Sequence, residues 1–175
     1  MNKLFWGFFF TFLNINLTLG SSTLNLLPDW VGYILLLLGC RELLEESDLF
    51  ARPRPWCIGM AVYTGLLWLW GLRGDGDGLF PQLLSLAAAL VGLWLTKLII
   101  DAIANMEQRR DAYFGSQYLY KVWKVSAICS VASYVLLILA PMLAILSLLA
   151  GAVAGIIFLV AVHRARKAYY QQAGV

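Results

Sequence analysis

The sequence predicts an all-α fold, a polytopic membrane helix bundle with six transmembrane helices and both termini in the cytoplasm, and three observations predict it. Hydrophobic residues fill 61% of the 175 positions and charged residues 13%, about half the charged share of a soluble domain. The apolar residues gather in runs near the ~20 residues that a helix needs to cross hydrocarbon. When those runs are threaded in alternation, twelve of the thirteen lysines and arginines fall on one side, the bias that marks cytoplasmic loops. Length leaves no room for a separate soluble domain, so residues 1–175 are expected to form one membrane unit.

Helix one is expected over residues 4–19, as a retained span rather than a cleaved signal, because its apolar run continues past Asn14 and Asn16 to Leu19. Helix two is expected over 28–44. Pro28 suits a first helical position, where its missing N–H has no partner to lose, and Asp29 sets negative charge against the positive end of the helix dipole. Arg41 and Glu45 are spaced for an i,i+4 pair, and Arg52-Pro53-Arg54-Pro55 ends helical continuation. Helix three follows over 56–72 and stops at the glycine-rich Arg73–Gly78 turn.

Helix four is expected over 81–103, opening at Pro81, with a cytoplasmic extension over 101–115 that carries an apolar side and ends at Gly115. From Val122 to Val162 the chain is too long for one crossing, and Pro141 divides it into helix five, 117–139, and helix six, 141–162. A basic tail, 163–175, closes the chain; Arg164, Arg166 and Lys167 suit anionic headgroups. Each odd helix opens with a cation near tryptophan and each even helix with proline, which suggests three helical hairpins.

Two groups of residues stand out as candidate sites. Asn14, Asn16, Thr18, Asn25 and Asp29 place amides, hydroxyls and a carboxylate in the outer half of the first hairpin, where they suit either a cavity for a small polar solute or plain satisfaction of loose backbone groups. Ser147, Gly151 and Gly155 recur at four-residue spacing, and small side chains let helix backbones approach closely. That face serves packing within the bundle or a membrane-protein partner, including a second copy of the chain.

Other chemistry is excluded on residue supply. The segments lack G-x-S-x-G, H-E-x-x-H and paired intramembrane aspartates, so no enzyme is expected. His163 is the only histidine, and the three cysteines, Cys40, Cys57 and Cys129, show no C-x-x-C spacing, so neither a zinc site nor any cofactor is expected. The formal net charge of +3 is distributed as membrane orientation requires, not as a nucleic-acid surface.

The segment Asn25-Leu26-Leu27-Pro28-Asp29-Trp30-Val31-Gly32-Tyr33, followed by a leucine run and Gly39, resembles a family of small bacterial polytopic membrane proteins. The resemblance implies a bacterial plasma-membrane protein and carries no functional residues. More loosely, the size and topology are similar to the substrate-binding subunits of energy-coupling-factor vitamin transporters, whose first helix typically shows an Ala-x-x-x-Ala face that Leu4–Phe12 lacks. Two function classes follow: a non-enzymatic component acting by assembly with other membrane proteins, or a binder or transporter of a small solute whose identity the residues do not give.

Overall fold

The computed structural model describes residues 1–12, 16–19, 22–25, 29–71, 79–139 and 141–172. Along them run α1 (Asn2–Phe12), β1 (Asn16–Leu19), β2 (Ser22–Asn25), α2 (Asp29–Glu42), a short 3-10 turn (Asp48–Ala51), α3 (Arg54–Gly71), α4 (Leu79–Arg109), α5 (Ser116–Leu139) and α6 (Pro141–Gln172). The described residues are mostly helical. Within the described residues, Leu86–Arg109 and Leu149–Gln172 are each long and apolar enough to cross a membrane.

The first helix is shorter than the expected 4–19. Its described stretch is Asn2–Phe12, and β1 pairs antiparallel with β2 in the register Asn16 to Asn25, Leu17 to Leu24, Thr18 to Thr23 and Leu19 to Ser22. The reason lies in the period of the sequence: Asn16-Leu17-Thr18-Leu19 alternates polar and apolar residues, which fits a strand rather than a helix, and asparagine and threonine are weak helix formers. Residue 14, Pro28 and the Arg73–Gly78 turn lie outside the described residues.

The chain divides into two compact units, Met1–Leu95 and Thr96–Val175. In the first, α1 lies against α2, and α2 against α3. Gly7, Gly32 and Gly39 permit the close approach of α1 and α2: a Cβ on Gly7 would stand 2.7 Å from Leu36 Cγ, and one on Gly32 would stand 3.0 Å from the Gly7 carbonyl oxygen. Thr11 shows how the apolar helix absorbs a hydroxyl, because its Oγ1 donates to the carbonyls of Gly7 (3.0 Å) and Phe8 (3.1 Å). At the open end of this hairpin the Lys3 ammonium pairs with the Glu42 carboxylate. An Arg41–Glu45 pair is expected from spacing, yet Glu42 is the carboxylate that the structure shows meeting a cation there, because α1 brings Lys3 alongside.

The first half of α4 completes this unit. Tyr63 Oη on α3 donates to the Leu84 carbonyl at 2.8 Å, and Trp56 meets Trp94 edge to face with ring centroids 4.6 Å apart. Tyr33 is buried, and its hydroxyl oxygen lies 3.1 Å from where a Gly92 Cβ would stand. Gly32 and Tyr33 of the Asp-x-x-Gly-Tyr segment are thus packing residues, one toward α1 and one toward α4.

In the second unit, Ile99, Ile103 and Met106 of α4, Leu119 of α5, and Phe158 and Ala165 of α6 are buried. The helical stretch of α4 ends at Arg109, not at Gly115. Asp111 takes the left-handed conformation, φ 47°, while Ala112 N–H donates to the Glu107 carbonyl (3.1 Å) and Asp111 N–H to the Gln108 carbonyl (3.5 Å). This is the paired bonding of a Schellman cap, in which Asp111 stands where glycine is usual. Aspartate is among the few residues that tolerate that conformation. Gly115, φ 79°, instead turns the chain into α5, whose first amide, Ser116 N–H, donates to Glu107 Oε2 at 3.0 Å.

Candidate functional site

Five large apolar side chains of α3, Trp56, Ile58, Val62, Leu66 and Leu69, are exposed, as are Val125, Ile128 and Val131 of α5 and Leu149, Val153, Ile156 and Val160 of α6. An apolar surface of this kind, on either unit taken by itself, marks in water an interaction site or an aggregation hazard. In hydrocarbon it is simply the outer surface.

On the α3 side that surface is indented. A groove of about 380 Å³ is lined by Trp30, Ala61, Val62, Gly65, Leu66, Trp68 and Leu69. Its shape follows from side-chain size: Ala61 and Gly65 are four residues apart and share one helix face, so α3 carries a small-x-x-x-small floor between bulkier walls. Trp30, from the first turn of α2, forms one wall, its Cβ 3.8 Å from where a Gly65 Cβ would stand. The lining carries no ionisable side chain. The groove therefore suits close apolar packing, and offers no acid, base or nucleophile for chemistry.

The sequence alone singles out a different small-residue face. In the structure Gly155 is buried and Gly151 half-buried, and a Cβ on Gly151 would make ordinary contact with Cys129 Cβ on α5 at 3.9 Å. At residue 151 the face turns inward within the second unit. The side chain of Ser147 is outside the described residues. Ala61 and Gly65 carry the same spacing signal, and it was hidden by the stronger Gly-x-x-x-Gly pattern on α6.

The polar cluster is placed only in its backbone. Asn16, Thr18 and Asn25 belong to the strand pair, Asn16 directly opposite Asn25, and their side chains lie outside the described residues, as does Asn14 altogether. Asp29 opens α2 as the acid in its first turn, beside Trp30 of the groove. It is half-buried.

No protein-family model, no curated protein and no solved structure matches this chain.

Proposed function

We propose that the chain is a multi-pass protein of the bacterial plasma membrane that crosses the bilayer six times, keeps both termini in the cytoplasm, and works without catalysis by assembling with other membrane proteins. The groove over Ala61 and Gly65 is the seat, and its occupant is an apolar transmembrane helix of a partner. The carrying observation is that a half-buried small-x-x-x-small floor, of the kind that lets helix backbones approach closely in lipid, lines a groove beside the exposed side chains of Val62, Leu66 and Leu69. A lipid chain needs no such floor.

Charge placement supports the threading. Lys3 meets Glu42, so the start of α1 and the end of α2 share one end of the first unit, with Arg41, Arg52 and Arg54 following directly. In the second unit the Arg110 guanidinium lies 5.2 Å from the Tyr169 ring centroid, which sets the end of α4 beside the end of α6, near Arg164, Arg166 and Lys167. In each unit these cations gather at one end, as those of cytoplasmic loops do. The helical parts of the first two crossings measure only ~16 and ~21 Å at 1.5 Å per residue.

A photo-crosslinking side chain at Val62 tests the assembly reading in native membranes. Capture of a discrete membrane protein, or of a second copy of the chain, and loss of that product in Gly65→Leu support it. Lipid-only products at Val62, with equal products at Ile128, remove the seat. An impermeant thiol label tests the threading separately: Arg73→Cys should react in intact cells and Arg52→Cys should not.

A further inference from the structure

Charge divides unevenly between the two units. Met1–Leu95 holds five lysines and arginines against seven aspartates and glutamates, whereas Thr96–Val175 holds eight against three. In the second unit α5 and α6 pack against each other. A Cβ on Gly151 would stand 3.9 Å from Cys129 Cβ, and the rings of Phe114 and Tyr169 meet at 5.9 Å, so the two helices run antiparallel and their basic ends coincide. Counted along both helices from those contacts, Lys121 stands within about two turns of the level of Arg164. Lys121 and Lys124 share one face of α5, and Arg164 and Lys167 one face of α6, since residues three apart lie on the same side of a helix. All four are exposed. Among the described residues none of the four pairs with a carboxylate, and Glu107, the acid at this end of α4, is committed to the Ser116 amide. Lys124 Nζ lies 4.7 Å from the Tyr120 ring centroid, and Tyr120 stacks on Trp123 at 5.6 Å. Tyrosine and tryptophan gather at headgroup level, so this stack fixes the height at which the α5 ammonium groups sit.

We propose that Lys121, Lys124, Arg164 and Lys167 form a binding site for the phosphate of an anionic phospholipid in the cytoplasmic leaflet. The site rests on the membrane location given above, and on neither the groove over Gly65 nor its occupant. Like charges held on two packed helices repel one another, and a phosphate between them turns that repulsion into attraction. The lysines act on it as point charges, while the Arg164 guanidinium donates to its oxygens in a planar fork. A zwitterionic lipid carries its own cation beside the phosphate and gains less. The matching end of the first unit is balanced instead: Lys3 meets Glu42, and Arg41, Arg52 and Arg54 are interspersed with Glu45, Glu46 and Asp48. Selective retention of anionic lipid is therefore a property of the second unit.

The test is native mass spectrometry of the full-length protein released from mixed micelles that hold equal amounts of phosphatidylglycerol and phosphatidylcholine with the same acyl chains. The expected result is phosphatidylglycerol retained in excess, with that preference cut roughly tenfold in Lys121→Gln/Lys124→Gln and likewise in Arg164→Gln/Lys167→Gln. Added salt should weaken it. The charge-preserving pair Lys121→Arg/Lys124→Arg and the first-unit control Arg52→Gln should keep it. Equal retention of the two lipids by the wild-type chain, or a preference that survives both glutamine pairs, overturns the site. Inorganic phosphate added at the concentration of the lipid should leave the retained phosphatidylglycerol in place, and its displacement by free phosphate overturns the assignment to a headgroup. The count is read in micelles without a protein partner, so failure here leaves the Val62 crosslink and the assembly reading standing, and failure there leaves this site standing.

Discussion

Gly39 lies so close to Leu4 that a Cβ at residue 39 would stand 2.8 Å from both Leu4 Cγ and the Leu4 backbone nitrogen. The side chain can swing away, but the backbone cannot without moving α1. Gly39→Ala is therefore expected to destabilise the protein by ~1–3 kcal/mol, the usual cost of overpacking a close contact. Gly59→Ala is the matched control, since nothing lies within 4 Å of its added methyl, and it should hold or raise stability by up to ~1 kcal/mol through helix propensity. Denaturant titration in mixed micelles, followed by circular dichroism, reads both.

The Schellman cap at the end of α4 gives a stabilising change. Asp111 occupies the left-handed region at φ 47°, which costs an L residue about 1–2 kcal/mol. Asp111→Gly should recover up to ~1 kcal/mol, after the extra backbone entropy of glycine is subtracted. Gly115→Ala, at φ 79°, should move stability the other way by ~1–2 kcal/mol. Opposite signs at two positions four residues apart are a sharp requirement for thermal unfolding to meet.

Glu107 ties that same turn to α5 by accepting the Ser116 amide at 3.0 Å. Glu107→Gln keeps the acceptor oxygen and removes its charge, so a charge-assisted bond becomes a neutral one, at a loss of about 1 kcal/mol. Amide exchange should quicken at Ser116 and leave mid-helix α5 unchanged. Uniform acceleration along α5 would show that the bond is not a local cap.

The Lys3–Glu42 pair carries less. Its side chains are 44% and 45% exposed, so a double-mutant cycle through Lys3→Gln and Glu42→Gln should return a coupling of only ~0.2–1 kcal/mol. The coupling should shrink as salt rises. A larger, salt-insensitive value would place the pair out of contact with water.

How much of this is legible without a structure depends on the scale of the signal. Six helices can be read from apolar runs punctuated by Pro81, Pro141 and the Arg-Pro-Arg-Pro segment, because hydrocarbon-length runs and proline act locally along the chain. The strand pair is legible only at shorter range: the alternation in Asn16–Leu19 spans four residues and is easily taken as the end of a longer apolar run. The close α1–α2 contact is not legible at all, since Gly7, Gly32 and Gly39 acquire meaning only once two helices are laid side by side. Likewise, Ala61 and Gly65 carry the same spacing as Gly151 and Gly155, and only the structure shows that Gly155 is buried while Ala61 and Gly65 line a groove.

The interlocked glycines of the first hairpin also set its mechanics. Gly32 and Gly39 are seven residues apart on α2, and each receives the backbone of α1 where a methyl group would not fit. Sliding α1 by one turn would drive its backbone against the side chains lying between those two notches, so the pair cannot ratchet and behaves as one stiff lever.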